Sequence, residues 1–347
     1  TKLLFSLKSY STVAGLEVIA QEVDGFSASS LFEAKLARAI LGRCGSVHLT
    51  TPGLRPDEIK ALGKLVDYLS FNSLNQWSRY KEQMSDQVSC GLRINPQLSF
   101  VKDARYDPCR QYSKLGVPLD DLLALINQSP EALQGIKGLH IHSNCDSRDL
   151  TPLLKTVERL VKVLAPLHEQ IQWINLGGGY LLNDPLHSEI LQDIKSKLLH
   201  IGNYRIFIEP GAGIVRRAGN LVASVIDLFS SGEQRIAVLD ISVNHMPEVF
   251  EYQFEPDVLD YDENGNHEYL LAGPACLAGD LFGVYTFAEP IDIGSRIIFP
   301  NMGAYSMVKA NMFNGINLPT LYILSESGVI DEITRFRYRD FRRLCGD

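Results

Sequence analysis

From Thr1 to about residue 211, short apolar runs alternate with stretches whose apolar residues recur every three or four positions. The short runs are LLFSLKS, FSASS, VHLT, LSFNS, GLRIN, GLHIHS, INLGGG and RIFIEPG, eight in all. Each is strand-sized, β-rich and bounded by Gly, Ser, Asn or Pro, which reads as a β-strand. The longer stretches are SSLFEAKLARAILG, DEIKALGKLV, LNQWSRYKEQM, PLDDLLALINQ, LTPLLKTVERLVKVLAPL and HSEILQDIKSKLL. In the fifth of these, Leu150, Leu153, Leu154, Val157, Leu160 and Val161 fall on one helix face. Strand–helix alternation of this kind predicts an α/β fold, a (β/α)8 TIM barrel over residues 1–215.

After about Arg216 the pattern changes. NLVASVIDLF, RIAVLDIS, EYLLAG, RIIFPNM and TLYIL are β-branched runs separated by Gly, Pro, Asn and Asp, and long helical patterns disappear. Residues 216–347 are therefore expected to form a second, mostly antiparallel β-domain. A chain of 347 residues is long enough for about two domains.

Composition narrows the classes. A 45% hydrophobic, 21% charged chain has the makeup of a globular protein with a sizeable core. Its net charge of −8 argues against nucleic acid or an anionic membrane as the main partner. The six cysteines are scattered without a C-x-x-C pair, which at this size reads as reduced thiols and a cytoplasmic setting. No apolar run approaches the ~18 residues of a membrane span.

Several segments carry candidate chemistry. Lys8 ends a strand whose Leu3, Leu4, Phe5 and Leu7 are expected to be buried. There it is either a solvated lysine or an amine whose proton affinity is lowered for Schiff-base chemistry. Gly177, Gly178 and Gly179 follow the seventh strand, where barrels often hold phosphate, and can bring backbone N–H groups close to an anion. Glu209, before Pro210 and Gly211, suits either a rim ion pair or a protonated pyridine nitrogen. His140 and His142 are two apart on one strand; without further ligands they suggest no metal, and His142 suits stacking on a flat cofactor. Cys276 and Asp280 lie in the loop GPACLAGD, and Tyr305 in GAYS. A lysine, a glycine loop, a carboxylate and a cysteine together suggest an aldehyde cofactor bearing a phosphate.

The segments SSLFEAKLA, LSFNSLNQW, NPQLSF, YDPCRQYSKLG, GLHIHSNCD, GNLVASVID, NHMPEV, GPACLAGDLFG and MVKANMFNGINLP resemble the fold-type III PLP-dependent decarboxylases. The resemblance covers essentially the whole chain and is strongest to the carboxynorspermidine decarboxylase branch. It implies an alanine racemase-like barrel, pyridoxal 5′-phosphate as cofactor, and a homodimer with shared active sites. The implied reaction is decarboxylation of a carboxylated polyamine such as carboxynorspermidine or carboxyspermidine, giving the polyamine and CO2. It assigns Lys8 to covalent attachment of the cofactor, His142 to its ring, Gly177 to Gly179 and Tyr305 to its phosphate, and Glu209 to its pyridine nitrogen. Cys276 becomes the proton donor, contributed by the β-domain across the dimer interface. Asp146, His245 and Asp280 are candidate substrate contacts.

Two departures bear on the substrate. Many family members carry Arg after EPG, where this chain has Ala212. His142 is followed by Ser143, Asn144, Cys145 and Asp146, where ornithine- and diaminopimelate-type enzymes carry His-x-Gly-Ser. Other readings are a decarboxylase of another diamino acid or of a natural-product or siderophore intermediate, and a non-catalytic PLP-binding protein. The resemblance also implies about 30 residues before the lysine strand, so the barrel is expected to lack its natural N-terminal segment.

Overall fold

A computed structural model describes residues 1–181 and 187–347. The chain divides into two units, Thr1–Ile214 and Val215–Asp347.

The first unit is a closed barrel of eight parallel strands. These are β1 (Lys2–Ser6), β2 (Gly25–Ala28), β3 (Ser46–Thr51), β4 (Tyr68–Phe71), β5 (Ser89–Asn95), β6 (Gly138–Ile141), β7 (Trp173–Asn175) and β8 (Arg205–Ile208). Neighbouring strands pair in order, β1 also pairs with β8, and a two-residue strand, Val117–Pro118, pairs with β5. All eight predicted strands are present. The connecting helices include Leu31–Leu41, Leu74–Tyr80, Leu119–Gln128, Thr151–Leu167 and His187–Ile201. Two are started by serine caps: Ser30 accepts from the Glu33 amide at 3.2 Å and Ser73 from the Gln76 amide at 3.1 Å. DEIKALGKLV yields only a four-residue helix, Ile59–Leu62, and a helix at Val13–Ile19 goes beyond the predicted set.

Side chains on alternate positions of a strand share a face, and this sorts the barrel interior into layers. Leu4, Trp173 and Phe207 form a buried apolar cluster with Tyr68 against it. Above them the interior turns polar, with His48, Arg93, His140 and Asn175 all buried. Thr50 Oγ1 lies 3.1 Å from His140 Nδ1 across this layer. Beyond the strand ends come Lys8, His142, the glycine turn and Glu209, at the C-terminal face where barrels carry their chemistry.

The second unit is built on a five-stranded sheet of β9 (Leu221–Ser231), β10 (Gln234–Leu239), β11 (His267–Ala272), β12 (Leu281–Phe287) and β13 (Arg296–Phe299). Its order is β12-β11-β10-β9-β13, antiparallel except for the β10–β11 pair. Ala223, Val225, Leu239, Leu271, Phe282 and Phe299 are fully or almost fully buried in its core. A separate antiparallel hairpin joins β14 (Leu321–Leu324) to β15 (Ile330–Thr334).

Candidate active site

Lys8 follows β1 in a single 3-10 turn, Leu7–Ser9, whose flanking Leu7 and Ser9 are buried. The Ser9 hydroxyl donates to the Ser6 carbonyl at 2.8 Å, closing the turn. Lys8 itself is exposed, yet its amine is surrounded by protein. Both hold for a side chain in a concavity, and the crowding governs its proton affinity. Burial lowers its pKa below the ordinary 10.5 and Arg93 acts in the same direction, while Glu209, Cys145 and Glu33 oppose them. Among the described residues Lys8 makes no hydrogen bond or ion pair. An accessible amine with a depressed pKa and no partner is poised for covalent capture of an aldehyde.

Glu209 follows β8 and is buried, 8% exposed. Its Oε1 accepts from Asn175 Nδ2 at 2.6 Å. Burial pushes the carboxyl above its ordinary 4.5; Asn175, Ser27, Lys8 and Arg93 all favour the ionised form. Arg93 is itself buried on β5, which brings its guanidinium down to about 10.

The glycine turn packs directly on Glu209 and on the loop after β6. A Cβ on Gly178 would lie 2.1 Å from the Glu209 carbonyl oxygen, so only glycine fits. Gly177 and Gly179 have positive φ, 69° and 88°, as tight turns require. The expectation that all three amides face an anion needs refinement. Gly177 N–H donates to Asn175 Oδ1 at 2.8 Å and Gly178 N–H to His142 Nδ1 at 3.1 Å. Gly179 is the one of the three whose amide has no protein partner among the described residues.

His142 lies just past β6 and is half-buried. Because Nδ1 accepts from Gly178, its neutral ring carries the proton on Nε2. Burial, then Lys8, Arg93 and His140, hold its pKa well below 6.5, so it stays uncharged. His140, two residues earlier, is buried in the polar layer, and its Nε2 has no partner among the described residues. Asp146 is exposed in the same loop with φ 49°, and the Cys145 amide nitrogen lies 3.1 Å from where a Gly179 Cβ would sit. Glu33 caps its helix from the Ser29 amide at 2.6 Å and acts electrostatically with Lys8.

The remaining predicted residues lie in the β-domain. Cys276 is exposed on the loop between β11 and β12. Its backbone N–H donates to Asn314 Oδ1 at 2.8 Å. Asp280, 2% exposed, closes this loop from inside. Its Oδ1 accepts from Ser242 Oγ at 3.0 Å and Val243 N at 2.7 Å, and its Oδ2 from Ala275 N at 2.9 Å. Those bonds support a loop-organising role for Asp280 rather than a substrate contact. His245 is also buried, its Nδ1 accepting from Ser242 N at 3.3 Å. Ser242 therefore ties His245 to Asp280. Tyr305 is half-buried in the turn-rich segment after β13, with φ 57°.

The structure thus gathers Lys8, His142, Gly177 to Gly179 and Glu209 at one end of the barrel, and groups Cys276 with Asp280 and His245 in the β-domain. Arg93, Asn175 and Ser27 complete the barrel set and were not anticipated. A charged or amide residue inside the buried runs GLRIN and INLGGG was the available signal.

This arrangement suits pyridoxal phosphate: a lysine without a partner among the described residues for its aldehyde, a tight glycine turn for its phosphate, a buried carboxylate for its ring nitrogen. The first 216 residues match the family model for the pyridoxal binding domain of pyridoxal-dependent decarboxylases. The chain belongs to that family: it is a carboxy-lyase that uses pyridoxal phosphate. It is 35% identical to carboxyaminopropylagmatine decarboxylase of Synechocystis sp., over 99% of this chain and 88% of that one. It is 31% identical to carboxynorspermidine/carboxyspermidine decarboxylase of Campylobacter jejuni, over 98% of this chain and 90% of that one. Among solved structures, carboxynorspermidine decarboxylase from C. jejuni complexed with norspermidine matches with a TM-score of 0.88. That match has 29% identity and covers 99% of this chain and 92% of the other. No helix among the described residues is long and apolar enough to cross a membrane.

Proposed function

We propose that this chain decarboxylates a carboxylated polyamine, such as carboxynorspermidine or carboxyspermidine, giving the polyamine and CO2. The observation that carries the chemistry is Lys8, an accessible amine with a depressed pKa and no partner among the described residues, faced by the buried carboxylate of Glu209. The substrate class is supported by the relatives, which align nearly end to end and are named for carboxylated polyamines.

When bound, pyridoxal phosphate supplies an electron-accepting ring that takes up the electron pair of the breaking Cα–carboxylate bond. The chain's residues do the rest. Lys8 would hold the cofactor's aldehyde through its Nζ. Glu209 would supply the negative charge that keeps the cofactor's ring nitrogen protonated. His142, uncharged and fixed by Gly178, offers a flat face to the ring. The glycine turn and Tyr305 receive the phosphate. Once CO2 has left, Cα requires one proton, and the Cys276 thiol donates it.

The enzyme is a homodimer in this reading, with Cys276 of the partner subunit completing each site. The support is a thiol held exposed by a loop that Asp280 and Asn314 fix in shape. Asp146, also exposed, meets the distal ammonium of the substrate by a charge-assisted hydrogen bond. The reducing cytoplasm suits six free thiols.

The test is CO2 release across carboxynorspermidine, carboxyspermidine, carboxyaminopropylagmatine, diaminopimelate and ornithine. For one of the first three, kcat/KM should exceed that for the amino acids by about 100-fold or more, a ~3 kcal/mol preference. Equal or greater efficiency on diaminopimelate or ornithine would overturn the proposed substrate class.

A further inference from the structure

Asn175 is 1% exposed, and its side-chain amide makes two hydrogen bonds at once, one as acceptor and one as donor. Its Oδ1 accepts from the Gly177 N–H at 2.8 Å, and its Nδ2 donates to Glu209 Oε1 at 2.6 Å. The orientation of the amide is fixed. A backbone N–H can only donate, so Oδ1 must face Gly177 and Nδ2 is left for the carboxylate. A parallel backbone bond runs from Glu209 N to Gly177 O at 2.7 Å. The glycine turn and Glu209 are thus joined twice, main chain to main chain and, through Asn175, to the carboxylate.

We propose that Asn175 is a positioning residue that locks the Glu209 carboxylate to the glycine turn and supplies one of the donors its ionised form needs. The proposal rests on the reading of Glu209 as partner of the cofactor's ring nitrogen. An unpaired carboxylate buried in this way would take up a proton, and a neutral Glu209 would hold no charge opposite the ring. Other polar groups face the same carboxylate. Lys8 after β1 and Arg93 from β5 favour its ionised form, as does the Ser27 hydroxyl from β2. His140 and His142 at the end of β6 are held neutral. Glu33 and Cys145 act on Lys8, and Cys109 on Arg93. Within this set Asn175 is the donor that also holds the turn.

Two variants separate the two bonds. Asn175→Leu removes both. Asn175→Asp still accepts from Gly177 but donates to Glu209 only while it keeps its proton, and ionising both neighbouring carboxylates is costly. The shared proton then has a raised pKa in the folded protein. Its stabilisation is present at low pH and lost as pH rises through that raised value.

The experiment measures melting of the apoprotein and binding of pyridoxal phosphate by absorbance, both from about pH 6 to about pH 8.5. For N175D relative to wild type, the melting temperature falls by about 4 °C across the range. Cofactor affinity falls about tenfold or more over the same range. N175L shows both losses at every pH. N175D tracking wild type at every pH in both measurements overturns the proposal. Should wild-type protein fail to bind pyridoxal phosphate, the reading of Glu209 fails instead. The apoprotein melting profile then decides alone whether Asn175 supplies the proton donor.

Discussion

Lys8 and Glu209 set each other's charge. Glu209 raises the lysine pKa against burial and Arg93, and Lys8 favours the glutamate's ionised form against its own burial. The lysine's net shift is downward, so its reactive neutral amine is available at lower pH than for a free lysine. The rate of cofactor loading onto apoprotein should therefore rise with pH and level off below 10.5, the ordinary lysine value. Removing Glu209 takes away the negative group that most strongly resists this lowering. Stopped-flow absorbance on E209Q should place the plateau at still lower pH; an upward move would contradict the assignment. The same substitution should lower kcat about 100-fold or more with little change in KM, because a charge used in the transition state is lost. Steady-state kinetics on the preferred polyamine checks this.

At this scale the sequence showed the groups that end strands. Lys8, His142 and Glu209 stand beside turn residues, where a reactive side chain breaks an apolar pattern visibly. Arg93, Asn175 and Ser27 lie inside runs that read as buried strand. Alternation along a strand does not reveal which face closes around a cavity, so their convergence on Glu209 needed three dimensions.

Among the elements, the glycine turn and the cysteine loop are each held by specific contacts. Gly178 packs its α-carbon against the Glu209 carbonyl, with no room for a methyl group. Gly178→Ala should force the turn off β8, costing about 1–3 kcal/mol of stability and about tenfold or more in cofactor affinity. Calorimetry and cofactor titration read both; unchanged binding would detach the turn from the phosphate. In the cysteine loop, Asp280→Ala strands the donors of Ser242, Val243 and Ala275. The expected cost is about 1–3 kcal/mol per unsatisfied buried group, with kcat falling while KM for the polyamine holds. A rise in KM alone would restore Asp280 to substrate binding.

Strand boundaries were legible because turn residues bracket each apolar run, and all eight barrel strands emerged where expected. Helix Val13–Ile19 was not, for it has only 7 residues and buries only Leu16. Strand Leu281–Phe287 was also missed, since Gly283 interrupts the run LFGVYTF with a φ of 137°.

At the level of the whole molecule, the chemistry is divided between two units of one chain. The barrel carries Lys8, proposed to hold the cofactor, and the β-domain carries Cys276, proposed as proton donor. If Cys276 serves the partner's cofactor, K8A and C276A chains complement each other. Random exchange makes half of the dimers mixed, and each mixed dimer has one intact site of two, so about a quarter of wild-type activity returns. The decisive measurement is CO2 release from the carboxylated polyamine that wild type prefers, by wild-type protein, by each variant alone, and by their equimolar mixture after subunit exchange. Shared sites require near-background rates for each variant and recovery of about a quarter of the wild-type rate on mixing. With that substrate, no recovery in a mixture shown to contain mixed dimers would contradict them.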